Sequence, residues 1–361
     1  MERSNTYPVA VIDHAALRHN MALARKNAPK SKIWAVIKAD AYGHGAAEIA
    51  KSLDSEGLAV ARLAEARRLR LTEPTRPILV MGGVYNVDEL HEAANLQCDL
   101  VVHNAIQGQM LIDNGITYPA KIWIKVNTGM NRLGFSLEEA KFWLSKLAYA
   151  SKVPGPPGLM THLACADNMF DALTLYQCER LQSIAKSDNL LSIGNSAGIL
   201  EWSTSQSDWV RPGIMLYGIS PFIKEIGSER NLLPVMTLYA QIIAVYQCPK
   251  GAAIGYGDYY RCTEPMTIGI VGIGYGDGYP RHVSLGAPVL VEGHIVPTVG
   301  RVSMDMLAVD LNSIPQTKIG TEVVLWGQGL PVEEVAKVAR TIAYQLLTGV
   351  TNRVTRLHIN C

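Results

Sequence analysis

Residues 33–45 read Ile-Trp-Ala-Val-Ile-Lys-Ala-Asp-Ala-Tyr-Gly-His-Gly, and the fold follows from how this stretch ends. Five apolar residues in a row, without polar alternation, describe a strand buried on both faces. The run stops at Lys38, and Gly43 and Gly45 supply a flexible strand-to-helix turn. Outward from here the same unit recurs. Strand-length runs rich in Val, Ile and Leu begin near Leu58, Pro77, Asp99, Lys121, Pro157, Leu190 and Trp209. Amphipathic segments separate them. In Asp13–Lys26, Asp13 is the N-cap and Pro29 closes the stretch; in Leu137–Ala148, Ser136 and Glu139 stand at capping-box spacing. Eight strands with helical returns predict an α/β fold of the (β/α)8, TIM-barrel type.

After Tyr217 the pattern changes. Residues 221–234 are polar, with proline at both ends, and read as a domain boundary. Beyond them β-rich runs follow one another without helices between: VMTLYAQIIAVYQ, MTIGIVGIGYG, APVLVEGHIVPTVGRV, MLAVDL and TEVVLWG. Residues 292–294 break one of them like a hairpin, and only Val332–Leu347 reads as helical. The expected division is a barrel over residues 10–225 and a mostly β domain over 226–361, with residues 1–9 open to joining the latter.

Composition narrows the function classes. The chain has 361 residues, 48% of them hydrophobic and 18% charged, so a mainly disordered protein is excluded. Thirty-three Lys and Arg against 32 Asp and Glu leave a formal charge of +1, which excludes a nucleic-acid coat and points to small-molecule partners. No apolar run approaches the roughly 20 residues of a membrane span, and Met1–Pro8 has no apolar leader. The six cysteines include no C-x-x-C pair, so they read as reduced thiols and not as a metal site. Together these predict a cytoplasmic protein.

A barrel carries its working groups at the C-terminal ends of its strands. Those ends hold Lys38, Lys125, Arg132 just beyond it, His162, Asn195-Ser196 and Arg211-Pro212-Gly213. Singly each is weak, since a lysine ending a strand is usually a snorkelling surface residue and a lone histidine a structural one. Topology gathers them at one mouth. Lys38 directly follows the apolar run of its strand, and a desolvated amine has a lowered pKa suited to imine chemistry. Gly194–Gly198 and Pro212–Ile214 lie after the last two strands, where barrels build phosphate sites from backbone N–H groups and a hydroxyl. A phosphorylated carbonyl held as an imine fits, and pyridoxal 5′-phosphate is such a compound. The alternating glycines of GIGYGDG invite a dinucleotide reading, but Pro280 blocks the helix that should follow.

Five stretches in this order, VIKADAYGHG, VNTGMNRLGF, WVRPGIMLYG, GYGDGYPR and GRVSMDM, resemble the alanine racemase family, over essentially the whole chain. The resemblance implies a pyridoxal-phosphate isomerase that interconverts L- and D-alanine for cell-wall peptidoglycan. It implies a head-to-tail homodimer, each site taking its barrel from one subunit and part of its β domain from the other. Carried over by motif, Lys38 would bind the cofactor covalently, Tyr42, Ser196, Gly213 and Ile214 would hold its phosphate, and Arg211 would face the pyridine nitrogen with His162 behind it. An arginine keeps its proton there, which disfavours protonating the ring and so suppresses side reactions. Arg132 would pair with the substrate carboxylate. Lys125 matches a lysine that some members carbamylate, giving an anion that orients Arg132.

Racemisation needs a base on each face of Cα, and the resemblance makes Lys38 one of them. Tyr275 is the obvious second, but the family's base lies nineteen residues earlier, in IGYGD, which points to Tyr256 of the partner subunit. Tyr275 would then line the entrance near the phosphate, Met304 and Asp305 would contact substrate, and Asp167 with Arg281 would form the outer corridor. Two departures stand out: Asn352 or its neighbours replace a phosphate-holding tyrosine, and Ser192 stands where many members have histidine. Rival readings are a racemase of broader or serine-preferring specificity, a pyridoxal-phosphate carrier of the same barrel, and a decarboxylase of the same architecture. The carrier type ends after the barrel, and the decarboxylase lacks the GMNRLG clamp.

Overall fold

The computed structural model describes residues 7–114, 116–150, 153–283 and 285–361. Of the N-terminal stretch read as lacking an apolar leader, residues 1–6 lie outside these.

The eight apolar runs form eight parallel strands that close on themselves: β2 (Lys32–Val36), β3 (Gly57–Val60), β4 (Ile78–Val80), β5 (Asp99–Val102), β6 (Ile122–Lys125), β7 (Gly158–Met160), β8 (Leu191–Ser192) and β9 (Trp209–Val210). Ile33 opposite Val210 closes the barrel. Almost every strand residue is buried, which is why no alternation shows in the sequence. The floor is aromatic. The rings of Trp34 and Trp209 stack at 4.3 Å, and Trp123 meets both edge-on. A side chain at Gly57 would lie 2.1 Å from the Trp34 ring and one at Gly158 2.5 Å from Trp123, so the indoles fill the space these glycines leave open.

Helices return on the outside: α1 (His14–Asn27), α2 (Ala46–Ser52), α3 (Leu63–Arg70), α4 (Val87–Asn95), α5 (Ala105–Asp113), α6 (Leu137–Tyr149), α7 (Leu173–Gln182) and α8 (Ser196–Glu201). Both predicted caps form. The Asp13 carboxylate accepts from Ala15 N at 2.8 Å, and Ser136 and Glu139 exchange the two bonds of a capping box.

The second sheet orders its strands β11-β14-β13-β12-β15-β10-β1-β16. They are β1 (Val9–Asp13), β10 (Met236–Cys248), β11 (Met266–Val271), β12 (Pro288–Val291), β13 (His294–Val299), β14 (Leu307–Asp310), β15 (Glu322–Trp326) and β16 (Thr355–Ile359). The long β10 pairs with β1 and β15 along its first half and with β11 along its second, bending the sheet back on itself. The hairpin at 292–294 forms, with Glu292 and Gly293 both at positive φ as a two-residue hairpin turn requires.

Two features depart from the sequence reading. Residues 9–13, which a boundary at residue 10 would divide, pair as one strand with β10 and β16 in the second sheet, so this segment belongs to that sheet and precedes the barrel. The single helix expected over Val332–Leu347 is instead α9 (Val332–Val338) and α10 (Ala343–Gly349), broken where Arg340 takes a positive φ. One continuous apolar core runs from the barrel into the second sheet.

Candidate active site at the barrel mouth

Lys38 leaves β2 on an unusual backbone. Ala39, Asp40, Ala41 and Tyr42 all adopt left-handed φ/ψ, with φ between 52° and 54°, a conformation costing about 1–2 kcal/mol at each residue. Neighbours over-determine it. The Glu65 carboxylate accepts from Ala39 N at 2.6 Å while its other oxygen accepts from Ala61 N and Arg62 N. Asp40 accepts from Ala46 N, and His44 donates from Nδ1 to the carbonyls of Ala41 and Tyr42. Gly43, at φ 85°, lies so close to Leu347 O that a Cβ there would stand 2.2 Å from it. Backbone strain of this kind clusters at functional sites.

The lysine so presented joins four other basic groups. Burial, then Arg132, lowers the Lys38 amine, with Glu65 opposing. Lys125, at the end of β6, is pushed down to about 7 by burial and by Arg211, Arg132 and Lys38. His162 is held well below its usual value by burial and the same cations, and the buried Arg211 is lowered to about 10 by burial alone. No acid contributes to the shifts of Lys125, His162 or Arg211. The mouth therefore holds uncompensated positive charge, which suits an anionic occupant.

Arg211 is fixed by donating to Ser192 Oγ at 2.6 Å, to Thr161 O at 2.5 Å and to Ile193 O at 3.1 Å. Ser192, where the family often carries histidine, is thus a direct partner of Arg211. Behind them Thr161, Thr128 and Gln177 form a buried hydrogen-bonded chain, and Gln177 also donates to His162 O. Arg132 sits on a loop closed by Asn127, whose side chain accepts from Gly129 N and Asn131 N.

Beside the cations is a cradle of donors. Ser196 Oγ accepts from Gly213 N at 2.9 Å and Met215 N at 3.3 Å, leaving its own proton to donate outward. A Cβ at Gly213 would stand 2.7 Å from the Tyr42 hydroxyl, so that hydroxyl lies directly over the Pro212–Ile214 backbone. Tyr42 stacks on Tyr217 at 4.7 Å and leans on Tyr344 of α10 at 6.0 Å. Backbone N–H groups, a serine and a tyrosine over a glycine suit a phosphate, and a desolvated lysine beside them suits an aldehyde. The residues present fit pyridoxal phosphate.

Tyr344 escaped the sequence reading. Burial, then Asp167, raises it to about 12, and its ring leans on Tyr42 beside the cradle. In AYQLLTG it looks like any aromatic on an amphipathic helix. Glu65 likewise reads only as an N-terminal helix charge. Asn352 is exposed on a turn.

The remaining predicted residues lie on the second domain. Tyr256 occupies a one-turn segment and is 71% exposed. Tyr275, partly exposed, lies beside Met304 because Tyr275 N and Gly276 N donate to Ser303 O and Met304 O. The Arg281 guanidinium is 6.0 Å from the Tyr275 ring centroid. Asp305 is paired with Arg353, which also reaches Asp277. Among the described residues no hydrogen bond or ion pair joins Tyr256, Met304 or Asp305 to the basic cluster within one chain. No helix among them is long and apolar enough to cross a membrane.

Comparison with known proteins agrees with this geometry. Residues 12–221 match the family model of the alanine racemase N-terminal domain, and residues 235–358 that of the C-terminal domain. The chain is 46% identical to the alanine racemase of Nitrosococcus oceani over 97% of this chain and 99% of that protein. It is also 46% identical to that of Coxiella burnetii over 97% and 98%. Among solved structures, the biosynthetic alanine racemase of Pseudomonas aeruginosa superposes with a TM-score of 0.95 at 41% identity, covering 98% of this chain and 99% of that one. That of Acinetobacter baumannii gives 0.92 at 37%, covering 97% and 99%.

Proposed function

This chain belongs to the alanine racemase family and interconverts L- and D-alanine, and from that premise we propose a two-base reaction with pyridoxal phosphate held at the barrel mouth. The observation that carries this reading is the uncompensated basic cluster beside the Ser196–Gly213–Tyr42 cradle. When bound, the cofactor supplies a conjugated electron sink that acidifies Cα–H of the amino acid.

The chain's own groups divide the remaining work. Lys38 holds the cofactor and, once its amine is free, moves the proton on one face of Cα. Burial makes that amine a neutral base nearer working pH. Tyr256 from a partner subunit moves the proton on the opposite face; its exposure, with that of Tyr259, Met304 and Met306, supports a role outside its own barrel. Arg132 orients the substrate carboxylate. Ser196, Gly213, Ile214 and Tyr42 hold the phosphate, and Tyr275 closes the entrance beside it. Arg211, held by Ser192 and backed by His162, would face the pyridine nitrogen and, keeping its own proton, would disfavour protonation of the ring. A carbamate on Lys125 relieves its repulsion with Arg132 and turns it into an orienting anion. Met304 and Asp305 limit the side-chain space, with Asp167 and Arg281 along the corridor. We place the enzyme in the cytoplasm as a homodimer that supplies D-alanine for peptidoglycan.

Borohydride reduction of the holoenzyme followed by peptide mass spectrometry tests the core of this reading. The reduced cofactor should sit on Lys38 and vanish in Lys38→Ala; an adduct on another lysine sinks the assignment. Tyr256→Phe should suppress exchange of the α-proton with solvent from L-alanine far more than from D-alanine. Equal loss from both, or the same asymmetry in Tyr275→Phe, would show that Tyr256 is not the second base.

A further inference from the structure

The loop that carries Tyr256 has a neck made of sulfur. β10 ends at Cys248, and the chain then doubles back: Gly251 N donates to Cys262 O at 2.8 Å, Cys262 N to Ala252 O at 2.9 Å, and Ile254 N to Tyr260 O at 2.9 Å. Ala253 and Arg261 bridge antiparallel, leaving Tyr256–Asp258 at the tip. Cys248, where β10 ends, and Cys262, on the returning segment, pack together at the base, close enough for Cys248 to raise the Cys262 thiol. They share one small apolar cluster with Ile254, Met266, Ile268, Val299 and Ala308, separate from the main core. Both are free thiols, Cys262 being 2% exposed and Cys248 half-buried. The other thiols differ: Cys165 interacts with Asp171, Cys178 with Thr204, Cys98 is buried, and Cys361 is exposed at the C-terminus.

We propose that Cys248 and Cys262 are a dithiol modification site, closing to an intramolecular disulfide on oxidation by a peroxide and so locking the neck of the Tyr256 loop. Chemistry assigns the order. Burial first, then Cys248 and Asp310, push the Cys262 thiol up, so the more accessible Cys248 reacts first. Its thiolate attacks one peroxide oxygen, the O–O bond breaks, and Cys248 becomes a sulfenic acid as the departing hydroxide takes the thiol proton. Cys262 sulfur then attacks Cys248 sulfur, the S–O bond breaks, and hydroxide leaves as water with the Cys262 proton. Two thiols are oxidised and one hydrogen peroxide is reduced to two waters.

The effect on turnover rests on the reading of Tyr256 as the second base. Forming the bond draws the sulfurs from contact to about 2.05 Å, which moves Cys262 and the strand leading back from the loop tip. A misplacement of about 1 Å at a reacting group costs up to roughly 100-fold in rate, so a loss on the order of 10-fold is expected.

The experiment treats the holoenzyme with hydrogen peroxide in a Cys361→Ser background, then maps tryptic peptides without reduction. Cleavage after Lys250 and Arg261 separates the two cysteines, so a disulfide joins peptide 231–250 to peptide 262–281. The joined pair should form in wild type and in C361S, disappear with dithiothreitol, and be absent from C248S and C262S. Racemisation should fall and recover in parallel, while C248S keeps its rate in peroxide. Sulfinic acid on Cys248 without the joined pair, or disulfides only between chains, overturns the proposal. A joined pair with an unchanged rate upholds the site and counts against Tyr256 as the base.

Discussion

Replacing Lys125 by methionine tests the electrostatics of the barrel mouth most directly. The methionine keeps the apolar stem and removes the ammonium that burial and three neighbouring cations oppose. In the unfolded chain a lysine holds its proton to about pH 10.4, but in the fold Lys125 holds it only to about 7. At about 1.4 kcal/mol per pH unit, the difference amounts to roughly 5 kcal/mol. The folded pKa is depressed, so the unfolded chain binds the extra proton between these limits. Stability is complete above the unfolded value, declines as pH falls through the window, and is constant below about 7. Urea unfolding of the cofactor-free protein should therefore show wild-type stability climbing relative to Lys125→Met from pH 7 to 10, with the variant more stable at pH 7. Bicarbonate should flatten the wild-type profile, because a carbamate removes the titrating cation. Parallel profiles for the two proteins across that range would refute the reasoning.

Other perturbations read other parts of the structure. Ser196→Ala leaves Gly213 N and Met215 N without their acceptor; at about 1–3 kcal/mol for each stranded donor, denaturant unfolding should show a loss of roughly 2–6 kcal/mol, with weaker pyridoxal phosphate binding by equilibrium dialysis. An unchanged unfolding midpoint would contradict the cradle. Acid should loosen the seam between barrel and second sheet. His44 is held at about 3 by burial, and His14 and His358 are lowered by burial and, for His14, by its neighbour His358, whose Nδ1 is 2.8 Å from His14 Nε2. These depressed values mean the unfolded chain takes up protons that the fold refuses, so stability is present above about pH 6.5 and is lost as pH falls from there. His358→Gln should make the urea midpoint less steep between pH 6.5 and 5, and an identical slope would exclude this pair as a contributor.

Much of this was legible because barrel chemistry sits where strands end. Lys38, Lys125 and Arg211 could be placed at one mouth from the lengths of apolar runs alone, and the structure gathers them there. The local rules for caps and turns also carried, as Asp13, Ser136 and Glu292-Gly293 show. What remained hidden depended on contacts between distant segments. Val9–Asp13 has no local signal that distinguishes a barrel strand from a partner of Thr355–Ile359, since that pairing spans the whole chain. Tyr344 and Glu65 matter only because other elements bring Tyr42 and Ala39 to them. Nor does VIKADAYGHG announce four left-handed residues, because alanine and tyrosine disfavour that region and aspartate visits it as a single residue and not in a run.

That left-handed turn shows why the second domain is needed by its own barrel. The strain after Lys38 has to be offset by contacts, and only part of them come from the barrel. Glu65 fixes the first amide, but Arg356 of β16 donates to Gly43 O at 2.7 Å and to Val350 O at 3.0 Å, tying the end of the turn to the last strand. Leu347 fills the space beside Gly43, and Tyr344 supports Tyr42 from the same short helix. In the proposed dimer, one domain would thus brace Lys38 in cis through α10 and β16 and deliver Tyr256 in trans from the far end of β10. The two bases would be positioned by opposite ends of the same sheet. A barrel cut after Tyr217 would lose both: the second base and the contacts that hold the first in its strained turn.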